Sequence, residues 1–204
     1  MNAGRTVMLL AVSTTAWLPP PAAAEAPRRP VQVTLRNDGL APPDVAGRAQ
    51  AEATRLYSLI GVELVWVSAA TDDVAVRTVK LTTWEPRGDR VPAMALGVTY
   101  PPEGATEARA YVFWLRVQRY AQQFSLGIDK LLGAAIAHEL GHMLLPRGSH
   151  ASRGLMRGTW DREQFRAAAS GLLQFSPQSA AHIRRSVNSA LASSDPKTPL
   201  RQEH

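Results

Sequence analysis

The chain contains no cysteine. That excludes disulfides, thiolate metal ligands and lipid attachment at a cysteine, so the core and any bound ion must hold the fold. Aromatic residues are sparse at 6%, and no run of basic residues is interleaved with them. A nucleic-acid surface is therefore not indicated. Long apolar runs are also missing from the start of the chain. Thr6 to Leu18 is apolar but falls short of the roughly 20 residues that span a bilayer as a helix. No internal repeat is visible. Histidine is scarce, with five in 204 residues.

What is present begins with an export signal. Arg5 gives a positive start, Thr6 to Leu18 an apolar centre, and Ala22-Ala23-Ala24 a small-residue cleavage site after a proline run. Residues 1–24 read as a signal peptide removed near Ala24/Glu25. The mature protein is then expected outside the cytoplasm, secreted or periplasmic, with no stable membrane insertion. Its basic residues, mostly arginines scattered along the chain, outnumber its acids by 22 to 17, a net charge of +5. A solvated, mildly basic face explains this balance. The length suits one domain with a good core, and a monomer is expected.

Three of the five histidines fall within thirteen residues, His138-Glu-Leu-Gly-His-Met-Leu-Leu-Pro-Arg-Gly-Ser-His150. On a helix, His138 and His142 share one face, one turn apart, where a single ion can take both imidazoles. Glu139 lies beside them, placed to act on a metal-activated water without being a ligand. This is the H-E-x-x-H arrangement of zinc hydrolases. Catalytic zinc takes three protein ligands and leaves the fourth position open, and His150 is the first candidate for the third. By residue frequencies the motif arises by chance in a chain this long on the order of 1% of the time. Leu131 to Ala137, with Leu140 and Met143 to Leu145, makes its helix apolar on most sides, hence buried. Buried histidine and glutamate need partners or a metal.

The rest reads as an α+β domain over residues 31–192, after a linker at 25–30 and before a polar tail at 193–204 expected to be disordered. Strands are expected at Val31 to Leu35, Val62 to Val67, Val76 to Thr83, Ala93 to Tyr100 and Ala108 to Leu115. The second, apolar and β-branched, is expected to be central. The fourth, flanked by Pro92 and Pro101-Pro102, suits an edge. Helices are expected at Pro43 to Ile60, Val117 to Phe124, from Asp129 through the motif with Asp129 as cap, and at Pro177 to Leu191 with Ser176 as cap.

With this order of elements the chain resembles the metzincin clan of zinc endopeptidases, which includes the matrixins and archaemetzincins. The resemblance rests on His138, Glu139 and His142, on Gly154-Leu155-Met156 as a Met-turn, and on Ser176-Pro177-Gln178 opening the last helix. It implies a twisted, mostly parallel five-stranded sheet with an antiparallel edge strand, an active-site helix and a C-terminal helix. It also implies Met156 beneath a zinc ion held by His138, His142 and His150, and an extended substrate paired with the edge strand near Ala93 to Val98. The clan's longer motif is H-E-x-x-H-x-x-G-x-x-H/D. Here Leu145 stands at the glycine position, Gly148 at the third-ligand position, and His150 comes two residues late. Pro146 biases Leu145 out of helical geometry and Gly148 supplies a turn, so the chain can still leave the helix there.

Glu163 is the rival third ligand, placed downstream as the ligand glutamate is in thermolysin-like enzymes, and Asp161 is a similar candidate. His182 reads as a surface or satisfied core histidine, and Trp160 as packing. The expected function is a secreted zinc endopeptidase cleaving a peptide or protein substrate, with Glu139 as general base. No cysteine is present to latch the metal. The alternative is a metzincin-like domain that binds metal or partners with little or no turnover, since the third ligand is displaced.

Overall fold

The computed structural model describes residues 30–68, 76–86, 91–100, 109–146 and 148–193. The expected signal peptide at 1–24, nearly all of the expected linker at 25–30, Arg147 and the expected tail beyond Ser193 lie outside the described residues. Five strands form one sheet: β1 (Val31–Arg36), β2 (Leu64–Trp66), β3 (Arg77–Thr82), β4 (Gly97–Tyr100) and β5 (Arg109–Phe113). Their order is β2-β1-β3-β5-β4. All neighbours are parallel except β4, which runs antiparallel to β5 at one end of the sheet. This is the α+β domain with a mostly parallel sheet and an antiparallel edge that the sequence led us to expect.

Parallel neighbours need a crossover. Helix α1 (Pro43–Ser58) supplies it between β1 and β2. Its buried stripe runs through Val45, Ala49, Ala53 and Leu56, the spacing that puts apolar side chains on one helix face. Helix α2 (Trp114–Phe124) continues straight from β5, and α3 (Ile128–Leu144) packs against α1 and the sheet. Leu131, Leu132, Ile136 and Leu140 of α3 are fully buried, each worth about 1.5–3 kcal/mol relative to exposure. Helices α4 (Arg162–Ala169) and α5 (Pro177–Ser193) complete the domain. No helix among the described residues is long and apolar enough to cross a membrane.

Several expectations are corrected. The second strand is not central but ends the sheet opposite β4. Its apolar character serves α1 instead: Leu64 is buried, and Trp66 Nε1 donates to Thr54 Oγ1 of α1 at 2.9 Å. Asp129 does not cap α3. Gly127 occupies that position without a side-chain bond, and Asp129, inside the first turn, accepts from Arg48 Nε at 2.9 Å. Helix α2 begins three residues earlier than expected and β4 four residues later. The two shifts are linked. Arg116 Nη1 donates to the carbonyls of Pro92 and Ala95, and Tyr120 Oη to that of Ala93. Those carbonyls are thereby bound to a helix rather than to a strand. Helix α4 was not anticipated. Asp161 starts it through a capping box with Gln164, a signal masked because an acid that caps a helix and an acid that ligates a metal look alike in sequence.

Candidate metal centre

Helix α3 positions His138, Glu139 and His142. Its apolar faces are fixed by α1 and the sheet, so the remaining face must carry the polar residues. His142 Nε2 lies 3.0 Å from His138 Nε2. Helix α3 stops as the sequence suggested: Leu145, before Pro146, is extended at φ −111° and ψ 157°. Gly148 then turns the chain with φ +71°, a conformation that side chains disfavour.

The returning loop is tied at several points. Ala151 N donates to the Met156 carbonyl at 2.8 Å, Arg157 N to that of Gly154 at 3.0 Å, and Leu155 N to that of Gln174 at 2.7 Å. The loop brings His150 back to the helix pair, its ring centroid 4.8 Å from that of His142 and 5.9 Å from that of His138. One ligand atom from each of His138, His142 and His150 lies within 4.8 Å of the others. Burial is graded, with His138 deepest, His142 half-buried and His150 exposed.

Do these residues fit a metal? His138 Nδ1 is 2.6 Å from the Leu155 carbonyl. A carbonyl only accepts, so Nδ1 carries the proton and Nε2 of the neutral ring presents a lone pair. That lone pair faces a second imidazole nitrogen at 3.0 Å. Nitrogens on one tetrahedral ion with bonds of about 2.0–2.1 Å stand roughly 3.3 Å apart. Burial, then the neighbouring His142, holds the His138 pKa down to about 3; burial, then His150, holds that of His142 down to about 4. Both rings are therefore neutral at physiological pH, the form that ligates. The donor set fits, and the three histidines could hold a metal ion. The carbonyl of Leu155 orients the His138 ring and would serve as the outer partner of a ligating imidazole. It also accepts from Trp160 Nε1 at 3.3 Å.

Glu139 is 4% exposed. Thr99 Oγ1 of β4 lies 2.8 Å from its Oε2 and 3.0 Å from its backbone carbonyl oxygen. Burial pushes the Glu139 pKa up to about 8, against the opposing pull of the Thr99 bond. Met156 is fully buried. Its sulfur packs where Gly141 leaves room: a Cβ on that glycine would sit 2.5 Å from Sδ. Met156 thus lies against the residue next to His142. A cleft of about 510 Å³ joins the histidines and Glu139 to β4 and to Trp160.

The rival ligands are not brought to this cluster. Glu163 is exposed in the first turn of α4, where its N–H donates to Asp161 Oδ1 at 2.8 Å. Asp161 caps that helix and pairs with Arg157 at 3.1 Å. His182 is exposed on α5, away from the three histidines. Trp160 packs as expected, edge-on to His138 at 5.8 Å, and also lines the cleft. Thr99 and the Leu155 carbonyl were missed. Strand alternation could have turned Thr99 inward, but nothing local says which helix residue it meets.

No protein family matches the chain by sequence profile, and no curated protein matches it significantly.

Proposed function

We propose that this protein is a secreted zinc-dependent peptidase of metzincin type, acting on peptides or proteins. One observation carries the reading: three imidazoles converge within 4.8 Å beside a buried glutamate of the same helix, in one cleft. His138, His142 and His150 would hold the ion. An all-nitrogen set of three favours zinc with an open fourth position. Bound zinc supplies a Lewis acid that polarises a carbonyl and lowers the pKa of water.

The chain's own residues supply the rest. Glu139 takes a proton from the attacking water and passes it to the departing amine. Without an ion, burial keeps the Glu139 carboxyl protonated up to about pH 8; a cation held beside it would favour the ionised form that takes the water proton. Leu155 keeps the His138 tautomer fixed during the cycle. Strand β4 ends the sheet and bounds the cleft, so an extended substrate can add to it as a further strand.

The test is zinc content of the purified mature chain, with proteolysis of an unfolded protein substrate before and after chelation. We expect one zinc per chain and activity that chelation removes and zinc restores. A chain that binds zinc stoichiometrically yet cleaves nothing would instead be a metal-binding domain without turnover.

A further inference from the structure

This inference rests on the reading of Glu139 as general base and concerns what aims its carboxylate. A glutamate has three rotatable side-chain bonds, and burial alone does not choose among their rotamers. Two residues of β4 meet this one. Gly97 faces it with no side chain: a Cβ there would lie 2.6 Å from Glu139 Cγ and 2.6 Å from Oε1. Thr99, two residues on and so on the same face of the strand, places Oγ1 2.8 Å from Oε2 and 3.0 Å from the main-chain oxygen of Glu139. One hydroxyl thus ties the tip of the side chain to its own root.

Thr99 is itself well held. It is β-branched, with a stiff χ1. It stands opposite Ala110 in the β4–β5 register, as Gly97 stands opposite Val112. Ala110 and Val112 are buried to 1% and 0% exposure, so the height of Thr99 along the sheet is set by a core strand. We propose that Thr99 is a positioning residue for the proposed reaction, its hydroxyl holding the Glu139 carboxylate in the rotamer that lines the cleft. The strand that would receive the substrate then also aims the base.

The test compares Thr99→Val, which keeps the shape and loses the hydroxyl, with Thr99→Ser, which keeps the hydroxyl. In zinc-loaded protein, Thr99→Val should lower kcat roughly tenfold or more, the loss expected of one hydrogen bond to a carboxylate. KM and zinc content should stay unchanged, and Thr99→Ser should restore most of kcat. Thr99→Ala repeats the loss of the hydroxyl without placing a methyl at a polar position. A second readout needs no turnover: the carboxyl carbon resonance of Glu139 in zinc-free protein, assigned by its disappearance in Glu139→Gln. It should move in Thr99→Val and return in Thr99→Ser. An unmoved resonance overturns the proposal, as does a rise in KM with kcat intact, which would make Thr99 a substrate contact. If the zinc-loaded wild type cleaves nothing, the general-base reading fails, and the resonance alone still decides whether Thr99 holds the carboxylate.

Discussion

The two halves of the candidate site are built differently. His138 and His142 ride on one turn of a helix whose other faces are locked into the core. Their separation follows from helical pitch alone. His150 rides on a loop, exposed, and reaches the pair only because backbone bonds among residues 151–157 and to Gln174 fold that loop back. A pair set by pitch cannot move without breaking the helix. A ligand set by loop closure can shift along the chain, provided the loop's anchors stay put. Here the anchors are Met156 against Gly141 and Leu155 against Gln174. That difference gives a physical account of how a histidine eight residues beyond His142 can still reach the helix pair.

The largest effect separates chemistry from binding on the helix half. Glu139→Gln should retain zinc and the fold but lose about 10²–10⁴-fold in hydrolytic rate, the range for a lost general base. An unchanged rate on any substrate the wild type cleaves removes Glu139 from the mechanism. The comparison of the halves is tested next by zinc affinity in single alanine variants. His142→Ala and His150→Ala should each weaken binding by at least about 100-fold, beyond the 10–100-fold cost of a lost outer-shell partner, while Glu163→Ala changes nothing. Full occupancy in His150→Ala would mean the loop half is not part of the site.

The loop's anchor is tested by stability. Met156→Ala empties a fully buried position and should cost about 2–5 kcal/mol in denaturant unfolding of the zinc-free protein. Zinc affinity should fall with it, because the loop that carries His150 loses its inner contact. A variant with full stability would show that Met156 does not anchor the loop.

The last test is the pH dependence of stability without metal. Folding lowers the pKa of His138 and His142 from 6.5 to about 3 and about 4. The unfolded chain therefore binds more protons between those values, and stability is lost as pH falls below about 6.5. Glu139 has the opposite sign. Its pKa rises from 4.5 to about 8 on folding, so between those values the folded state holds a proton that the unfolded state releases. Stability then falls as pH rises through that window. The zinc-free protein should be most stable near pH 6.5, as followed by urea unfolding across a pH series. Glu139→Gln should remove the decline above pH 6.5 and steepen the loss between pH 6.5 and 4.5. A maximum that does not respond to Glu139→Gln would show that the glutamate is not buried as described.

Much of this was legible in the sequence because it rests on local periodicity. The i, i+4 histidines, the apolar run of α3, the stop at Leu145-Pro146 and the Ser176 cap of α5 each follow from a few neighbouring residues. The Ser176 hydroxyl does accept from Ser179 N at 3.1 Å. Strand order was less legible. An apolar strand looks the same whether a second strand or a helix covers it, and β2 was covered by α1. Helix α4 was hidden because an acidic cap and an acidic ligand use the same residue types.

The sequence by itself determined that two imidazoles and a carboxylate share a buried helix, since helical pitch admits no other arrangement of residues 138 to 142. Only the tertiary structure decided the third partner. It chose His150 over Glu163 by folding one loop inward and by committing Asp161, beside Glu163, to a helix cap. It also set Thr99 of β4 against Glu139, forty residues away. Such pairings depend on sheet register and on which strand lies over which helix. Both are settled by the packing of the whole core, and no short stretch of chain encodes them.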